Sequence, residues 1–200
     1  MPNEIILLSG DVEGSHLGGV LREHNPNLKV IYVAEPEALR DACLAPGAGM
    51  RRLIAFCTSV IVPSDILSAV DGPAYNFHPG PPTYPGTHVA GFAIYDGATK
   101  FGATVHEMEA SVDSGAIVGV DWFDIPDGLR FADLEILAYR SLVQLFLDLA
   151  PALATDDAPL PTLDMAWAEK TTTNKDAERM REIDDTMSEE EIKLRFRAFG

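Results

Sequence analysis

The chain has 200 residues, of which 46% are hydrophobic, and this is enough for one domain with a sizeable core. Its formal net charge of −16 argues against nucleic acid as a partner, because binding to phosphate backbones depends on clustered Lys and Arg. The chain has two cysteines without metal-ligand spacing, and its start is unlike a signal peptide. No apolar run approaches the roughly 20 residues of a membrane span. We therefore predict a cytoplasmic protein with no membrane partner.

Short apolar runs alternate with helical segments over the first 70 residues. A glycine-bearing loop, 10–15, follows the first run, and Pro36 suits the first residue of a helix. Strands that alternate with helices form parallel sheets whose ligands gather at the carboxyl ends of the strands. We therefore predict an α/β, Rossmann-like fold with a mostly parallel sheet flanked by helices. The strands are expected at 5–9, 28–34 and 52–56, and the helices at 16–23, 36–44 and 64–70.

The stretch 74–118 places polar residues where polarity costs free energy. Residues 75–78 alternate in the manner of a strand end, and the sequence PGPP stops the strand immediately afterwards. A strand period of two puts Asn76 and His78 on the same side, about 7 Å apart along the chain. Either residue alone is more typical of a turn, a cap or a surface histidine. Together they indicate an amide and an imidazole that act on one ligand.

The rest of the chain predicts further strands, a long helix and a C-terminal extension. Asp113 lies in the loop 111–115, His106 is more typical of a packed or hydrogen-bonded histidine than of a catalyst, and Pro151 is expected to end the long helix. His78, His88, His106 and Asp113 are residue types that bind zinc, but no HxH or HExxH pair occurs, so we expect no metal. The expected elements are a rim at 83–87, strands at 102–108 and 116–123, helices at 88–95, 131–149 and 189–198, and extended or loop-like chain at 170–176. We expect one domain at 1–150 and a C-terminal extension at 151–200 that packs on it.

Four motifs follow one another in the order NFHPGPP, YPG, GATVHEM and VDSGAIV. In this combination, over roughly 54–150, the chain resembles the formyltransferases that use 10-formyltetrahydrofolate, such as glycinamide ribonucleotide transformylase, the catalytic domain of methionyl-tRNA formyltransferase and the sugar N-formyltransferases. The resemblance implies a catalytic trio of Asn76, His78 and Asp113. It also implies a formyltransferase fold, here with a shortened N-terminal half.

The trio suits the attack of an amine on a formyl carbon, in which negative charge builds on the formyl oxygen. We expect Asn76 to donate a hydrogen bond to that oxygen. A nearby Asp113 would keep His78 protonated near neutral pH, so that His78 adds a second donor or protonates the departing folate nitrogen. Asp113 would accept the proton that the amine loses, directly or through a water.

The resemblance also implies where the formyl donor and the acceptor bind. The stretch 56–61 has apolar residues and free backbone groups, which suit the flat heterocycle of a folate. The alternative for this stretch is a strand followed by a loop that binds no ligand. At the first glycine loop, Asp11 and Glu13 would repel a phosphate. The expected folate contacts are Phe56, Cys57, Thr58, Ser59, Val60 and Ile61, and the expected acceptor contacts are Gly10, Tyr84 and His88.

These expectations together describe an enzyme that moves a formyl group from 10-formyltetrahydrofolate to an amine of a small metabolite. A nucleotide-linked amino sugar is the first candidate for the acceptor, and a purine-pathway amine is the second. Two alternatives stay open: a hydrolase that delivers the formyl group to water, and a catalytically silent folate- or metabolite-binding protein. A homodimer is also left open.

Overall fold

The computed structural model describes residues 1–47 and 49–200, in which six strands form one sheet with helices on both faces. The strands are β1 (Glu4–Leu8), β2 (Lys29–Val33), β3 (Arg51–Phe56), β4 (Ala74–His78), β5 (Lys100–Glu107) and β6 (Ile117–Asp124). The helices are α1 (Asp11–His24), α2 (Pro36–Leu44), α3 (Ser64–Leu67), α4 (Val89–Tyr95), α5 (Phe131–Thr155), α6 (Asn174–Arg181) and α7 (Glu189–Phe199).

The strand order across the sheet is β2-β1-β3-β4-β5-β6. Strands β1 to β4 are parallel to one another, and β5 is antiparallel to both β4 and β6. This arrangement confirms the expected α/β, mostly parallel sheet. The pairing of β4 with β5 sets Asn76 opposite His106 and His78 opposite Thr104, so polar residues from two strands share one face of the sheet.

The two faces of the sheet pack against different helices. Tyr75 and Phe77 of β4 face a core cluster that includes Phe146 of α5 and Leu17 of α1. On the other face, Ala55 of β3 belongs to a cluster with residues of α2 and α3. Asn76 pairs in register with Ala55 and therefore lies on this second face. The alternation seen in the sequence of β4 thus separates a core side from a polar side.

Helix α1 begins at Asp11, directly after Gly10, so the expected loop 10–15 and a helix start at His16 were wrong. Gly14 is buried within this helix, and a Cβ on Gly14 would lie 2.2 Å from the ring of Tyr32 on β2. A side chain could not fit there without a shift of the Tyr32 ring. Glycine therefore permits close packing of helix on strand here, and does not mark a loop.

Helix α5 continues through Pro151 to Thr155, although Pro151 was expected to end it. Proline removes the hydrogen bond to the carbonyl four residues earlier, which belongs to Leu147, and this residue is 40% exposed. Solvent can satisfy that carbonyl, so the helix tolerates the proline. The expected boundary at 150/151 lies inside α5.

Helix α5 is long and apolar enough to cross a membrane, with a mean hydropathy of 1.4 over 18 residues. No such segment was expected from the apolar runs in the sequence. One side of α5 is nevertheless part of the core of this fold, since Leu134, Ala138, Leu142 and Phe146 are fully buried.

The chain after α5 contains a helix that the sequence analysis missed. Residues 170–176 were expected to be extended, but α6 begins at Asn174 and is capped by Thr173, whose side chain accepts from the N–H of Asp176. The Asp176 carboxylate in turn accepts from the N–H of Thr173, at 3.0 Å. Asp takes the place of the usual Glu or Gln of a capping box, which is why the motif was overlooked. The expected C-terminal helix is present as α7.

Candidate active site

The three residues of the expected trio come together at the end of β4. Asn76 and His78 project from β4 toward the same side, and Asp113 lies in the loop between β5 and β6. The Nδ1 of His78 is 3.5 Å from one carboxylate oxygen of Asp113, and the Nδ2 of Asn76 donates to the other at 3.5 Å. The side chains of His78 and Asp113 are almost completely buried. The trio is therefore one cluster with little access to bulk water.

Asp113 is the centre of this cluster, and its charge is matched by several donors. The N–H of Gly86 donates to its Oδ2 at 2.8 Å, and the Nε2 of His106 lies 3.2 Å from its Oδ1. Burial by itself raises the pKa of Asp113. The hydrogen bond with His106, the electrostatic effect of the His78 ring and the N–H of Gly86 together outweigh burial and hold the pKa of Asp113 below its usual range. Asp113 is therefore a carboxylate at neutral pH.

His78 differs from the expectation in its charge. Burial of the ring lowers the pKa of His78 below its usual value, and the opposing effect of Asp113 does not restore it. The expectation that Asp113 keeps His78 protonated near neutral pH was wrong, because the cost of burying an imidazolium is larger than the gain from one carboxylate. The Nε2 of His78 is 3.1 Å from the carbonyl oxygen of Tyr84. Both ring nitrogens thus face acceptors, Nε2 the Tyr84 carbonyl and Nδ1 the Asp113 carboxylate, and a neutral ring can donate to only one of them.

His106 is the fourth member of the cluster. It is buried and hydrogen-bonded, as expected, but its contact with the expected trio was not predicted. Its Nδ1 donates to the carbonyl oxygen of Glu107 at 2.7 Å, and its Nε2 is 3.1 Å from the Nδ2 of Asn76. It therefore contacts both Asn76 and Asp113. The strand-like alternation in GATVHEM could have placed His106 on one face of a strand. Only the pairing of β5 with β4, however, sets His106 opposite Asn76.

Two cavities meet at this cluster. The first, which we call the loop cavity, has a volume of about 300 Å³ and is lined by the segments 58–62 and 108–113 together with Asn76 and His106. The second, which we call the helix cavity, has a volume of about 880 Å³ and is lined by residues of α4 and α5. His78 lines both cavities. A third cavity of about 530 Å³, near Met50 and Pro159, contains none of the trio.

The structure brings most, but not all, of the other expected site residues to these cavities. Thr58 and Ser59 line both, Val60 and Ile61 line the loop cavity, and Cys57 and His88 line the helix cavity. Phe56, Tyr84 and Gly10 line neither cavity.

Each of these three residues has a structural place elsewhere. The Phe56 ring is buried in the core against Phe77. The Tyr84 hydroxyl donates to Asp96 at 3.3 Å, while its backbone carbonyl holds His78. Gly10 precedes α1 as its N-cap, and Asp11 in the first turn of α1 supplies a negative charge there. Burial in the core is what withdraws Phe56 from a ligand.

Backbone strain is concentrated around the site. Among residues 1–47 and 49–200, the non-glycine residues with positive φ are Cys57 (47°), His88 (55°) and Asp113 (47°), and each lines one of the two cavities. Such conformations cost about 1–3 kcal/mol for most residues and cluster at functional sites. The strain therefore supports a functional role for both cavities.

Within the part of the chain that the structure describes, no group of three or more His, Cys, Asp or Glu side chains is arranged to hold a metal ion. The donors around Asp113 are instead used in hydrogen bonds among themselves.

The fold and the site define an α/β protein with an Asn–His–Asp cluster between two cavities. Residues 37–135 match the family model described as formyl transferase. A search of curated proteins found no match to the sequence.

Solved structures of formyltransferases share the fold of the chain. A likely sugar N-formyltransferase of Mycobacterium tuberculosis is 20% identical, with a TM-score of 0.74 over 99% of this chain and 87% of that one. A 4-N formyltransferase of Francisella tularensis is 16% identical, with a TM-score of 0.77 over 98% and 87%. An N-formyltransferase of Helicobacter canadensis, in complex with folinic acid and dTDP-3-aminofucose, is 15% identical, with a TM-score of 0.72 over 100% and 81%.

Proposed function

We propose that this protein transfers the formyl group of 10-formyltetrahydrofolate to an amine of a small metabolite. The observation that carries the proposal is that two cavities meet at His78, with Asn76 and Asp113 on the side of the loop cavity. A transferase needs two binding sites that open on one set of reacting groups. A site for a single ligand would not need both.

The loop cavity is the proposed site of the formyl donor. Val60, Ile61 and Val62 give it apolar walls, and it is closed by two loops whose backbone groups can meet the amide edge of a pterin. The Helicobacter canadensis neighbour is in complex with folinic acid, a folate of the same class. The chemistry of the lining thus fits the group that the donor would place there.

The helix cavity is the proposed site of the acceptor. Arg140 is the one Lys or Arg among the described residues that line it, and Glu135 is its acidic residue. Arg binds phosphate oxygens well, and a carboxylate accepts from sugar hydroxyls or an amine. A nucleotide-linked amino sugar therefore leads the candidates, since the Helicobacter canadensis neighbour is in complex with dTDP-3-aminofucose, and a purine-pathway amine follows.

The residues of the cluster divide the proton chemistry between them. The bound donor supplies the formyl carbon and a folate nitrogen as leaving group. Asn76 donates through Nδ2 to the formyl oxygen as negative charge develops there. His78, whose lowered pKa leaves it neutral, accepts on its unprotonated ring nitrogen the proton that the attacking amine loses. Asp113 stabilises the resulting imidazolium, which then gives the proton to the departing nitrogen.

The decisive experiment measures binding and turnover separately. Calorimetry with 5-formyltetrahydrofolate tests the donor site, and release of tetrahydrofolate from 10-formyltetrahydrofolate is then followed with and without candidate amines. Release that needs an amine is the expected result. Release without any amine would indicate a hydrolase, and binding without release would indicate a silent binding protein.

A pair of variants tests the acceptor assignment. Replacing Arg140 with Gln should raise KM for a phosphate-bearing acceptor by about tenfold or more and leave donor binding unchanged. The matched control is Arg197→Gln, a change of the same kind at an exposed position of α7. Equal KM values in the two variants would contradict the placing of the acceptor in the helix cavity.

A further inference from the structure

The segment between α5 and α6 crosses the sheet face that carries His78. The N–H of Leu163 donates to the carbonyl of Ile117 on β6 at 2.7 Å, and the N–H of Ala168 donates to the carbonyl of Pro82 at 2.9 Å. The segment is therefore fixed by main-chain hydrogen bonds on both sides of the cluster.

Trp167 is the side chain that this segment places over the cluster. Its indole ring meets the His106 ring edge to face, with centroids 5.0 Å apart and planes at 85°, and meets the His78 ring at 5.7 Å and 75°. Its Nε1 donates to the carbonyl of Gly115 at 2.9 Å, in the loop that carries Asp113. One side chain thus contacts both imidazoles and anchors the loop of the carboxylate.

Trp167 does not line the loop cavity or the helix cavity. Its contacts with the site are instead with the two imidazoles and with the loop of Asp113, so its influence on the reaction is expected to pass through the cluster. The titratable groups that face the His78 ring are Asp113 on the β5–β6 loop and His106 on β5, and the Tyr84 carbonyl adds a dipole. The indole carries no charge, and its effect on these groups is to exclude water and to fix the rings.

We propose that Trp167 is a positioning residue, which closes the cluster of His78, His106 and Asp113 against water and holds both rings in place for proton transfer. The kinetic part of this inference rests on the proposed formyl transfer. Its structural part does not, because the histidines titrate in the protein without ligand. Burial holds the pKa of His78 low, and the indole is one of the groups in contact with the His78 ring.

The test compares Trp167→Ala and Trp167→Phe with Trp122→Ala, a control on the exposed face of edge strand β6. NMR titration of the five histidines, with His78 assigned from a His78→Gln spectrum, gives the midpoint for each protein without substrate. In Trp167→Ala the His78 midpoint should rise toward about 6.5, the value for a solvated imidazole. In Trp167→Phe it should rise less, and in Trp122→Ala it should stay at the wild-type value.

Kinetics provide the second readout. In Trp167→Ala kcat should fall by about 10- to 100-fold with KM for the donor nearly unchanged, the signature of misplaced reacting groups. Hydrolysis should rise relative to transfer, because water reaches the cluster.

An unchanged His78 midpoint in Trp167→Ala would overturn the inference. If that variant does not fold, a wild-type midpoint in Trp167→Phe would overturn it equally, since the smaller ring cannot cover the same area. Absence of formyl transfer in the wild-type protein would count against the proposed function alone, because the NMR titration needs no substrate.

Discussion

Replacing Asp113 with Asn removes one charge from the buried cluster and nearly preserves its shape. Asp113 has a positive φ of 47°, which Asn tolerates well. The amide oxygen of Asn can keep the hydrogen bond from the Gly86 N–H, which is 2.8 Å long in the wild-type protein. The variant should therefore fold and bind 5-formyltetrahydrofolate as the wild type does, and the change falls on catalysis.

The size of the catalytic loss follows from the distance between Asp113 and His78. When His78 takes up the proton of the amine, an imidazolium stands 3.5 Å from a carboxylate oxygen. Two unit charges at such a separation attract by about 4 kcal/mol at an effective dielectric constant of about 20. Loss of most of this attraction in the transition state corresponds to a fall in kcat of about 10²- to 10³-fold.

The assay is formyl transfer at saturating donor, with Asp113→Ala as a comparison. The Ala variant leaves the Gly86 N–H without its partner, so its unfolding free energy should be about 1–3 kcal/mol lower than that of the wild type. The Asn variant should keep the wild-type unfolding free energy. If Asp113→Asn retains more than about one tenth of the wild-type kcat, the role of the carboxylate in general acid–base catalysis is refuted.

Other changes test the remaining parts of the structure. Replacing Asn76 with Ala should lower kcat by about 10²- to 10³-fold while calorimetry shows unchanged binding of 5-formyltetrahydrofolate, and equal losses in both would contradict an oxyanion role. Urea unfolding should show stability falling as pH drops below about 6.5, because the lowered pKa of His78 lets the unfolded chain bind a proton first; His78→Gln should flatten this fall. The pKa of Asp113 is also lowered, so its stabilisation, present above about pH 3.9, is lost as pH falls through the folded pKa. Replacing the buried Arg52 with Met should lower the unfolding free energy by about 3 kcal/mol and leave kcat unaffected, because its guanidinium donates to carbonyls at the end of α5; unchanged stability would contradict this account. Pro151→Ala should raise the unfolding free energy by about 1–3 kcal/mol in the same assay, and a decrease would show that the proline is needed.

Local sequence patterns predicted the sheet and two members of the site. The alternation in β4 requires only the strand period of two, which is a property of the backbone, so Asn76 and His78 could be placed side by side without any tertiary information. The elements around them were predictable for the same reason. Asp113 was found differently, through the resemblance of the ordered motifs to a known family.

Patterns that depend on packing were misread. The glycines before residue 15 predict a loop because glycine has no side chain to show periodicity, whereas Gly14 lies inside α1, where it leaves room for the Tyr32 ring. Pro151 predicts a helix end, although the carbonyl it leaves unpaired belongs to a partly exposed residue. In both cases the deciding feature is the packing around the residue, which the local pattern does not show.

Local patterns in the chain establish which groups are available for the chemistry and on which side of a strand they lie, because both depend on residues a few positions apart. The charge of those groups and their exposure to water depend on contacts between distant segments. His106 joins the cluster only through the antiparallel pairing of β5 with β4, and Trp167 reaches both imidazoles from nearly ninety residues after His78. These long-range contacts bury the His78 ring, and burial lowers its pKa. Local sequence patterns do not show how deeply a side chain is buried, so they could not predict this shift.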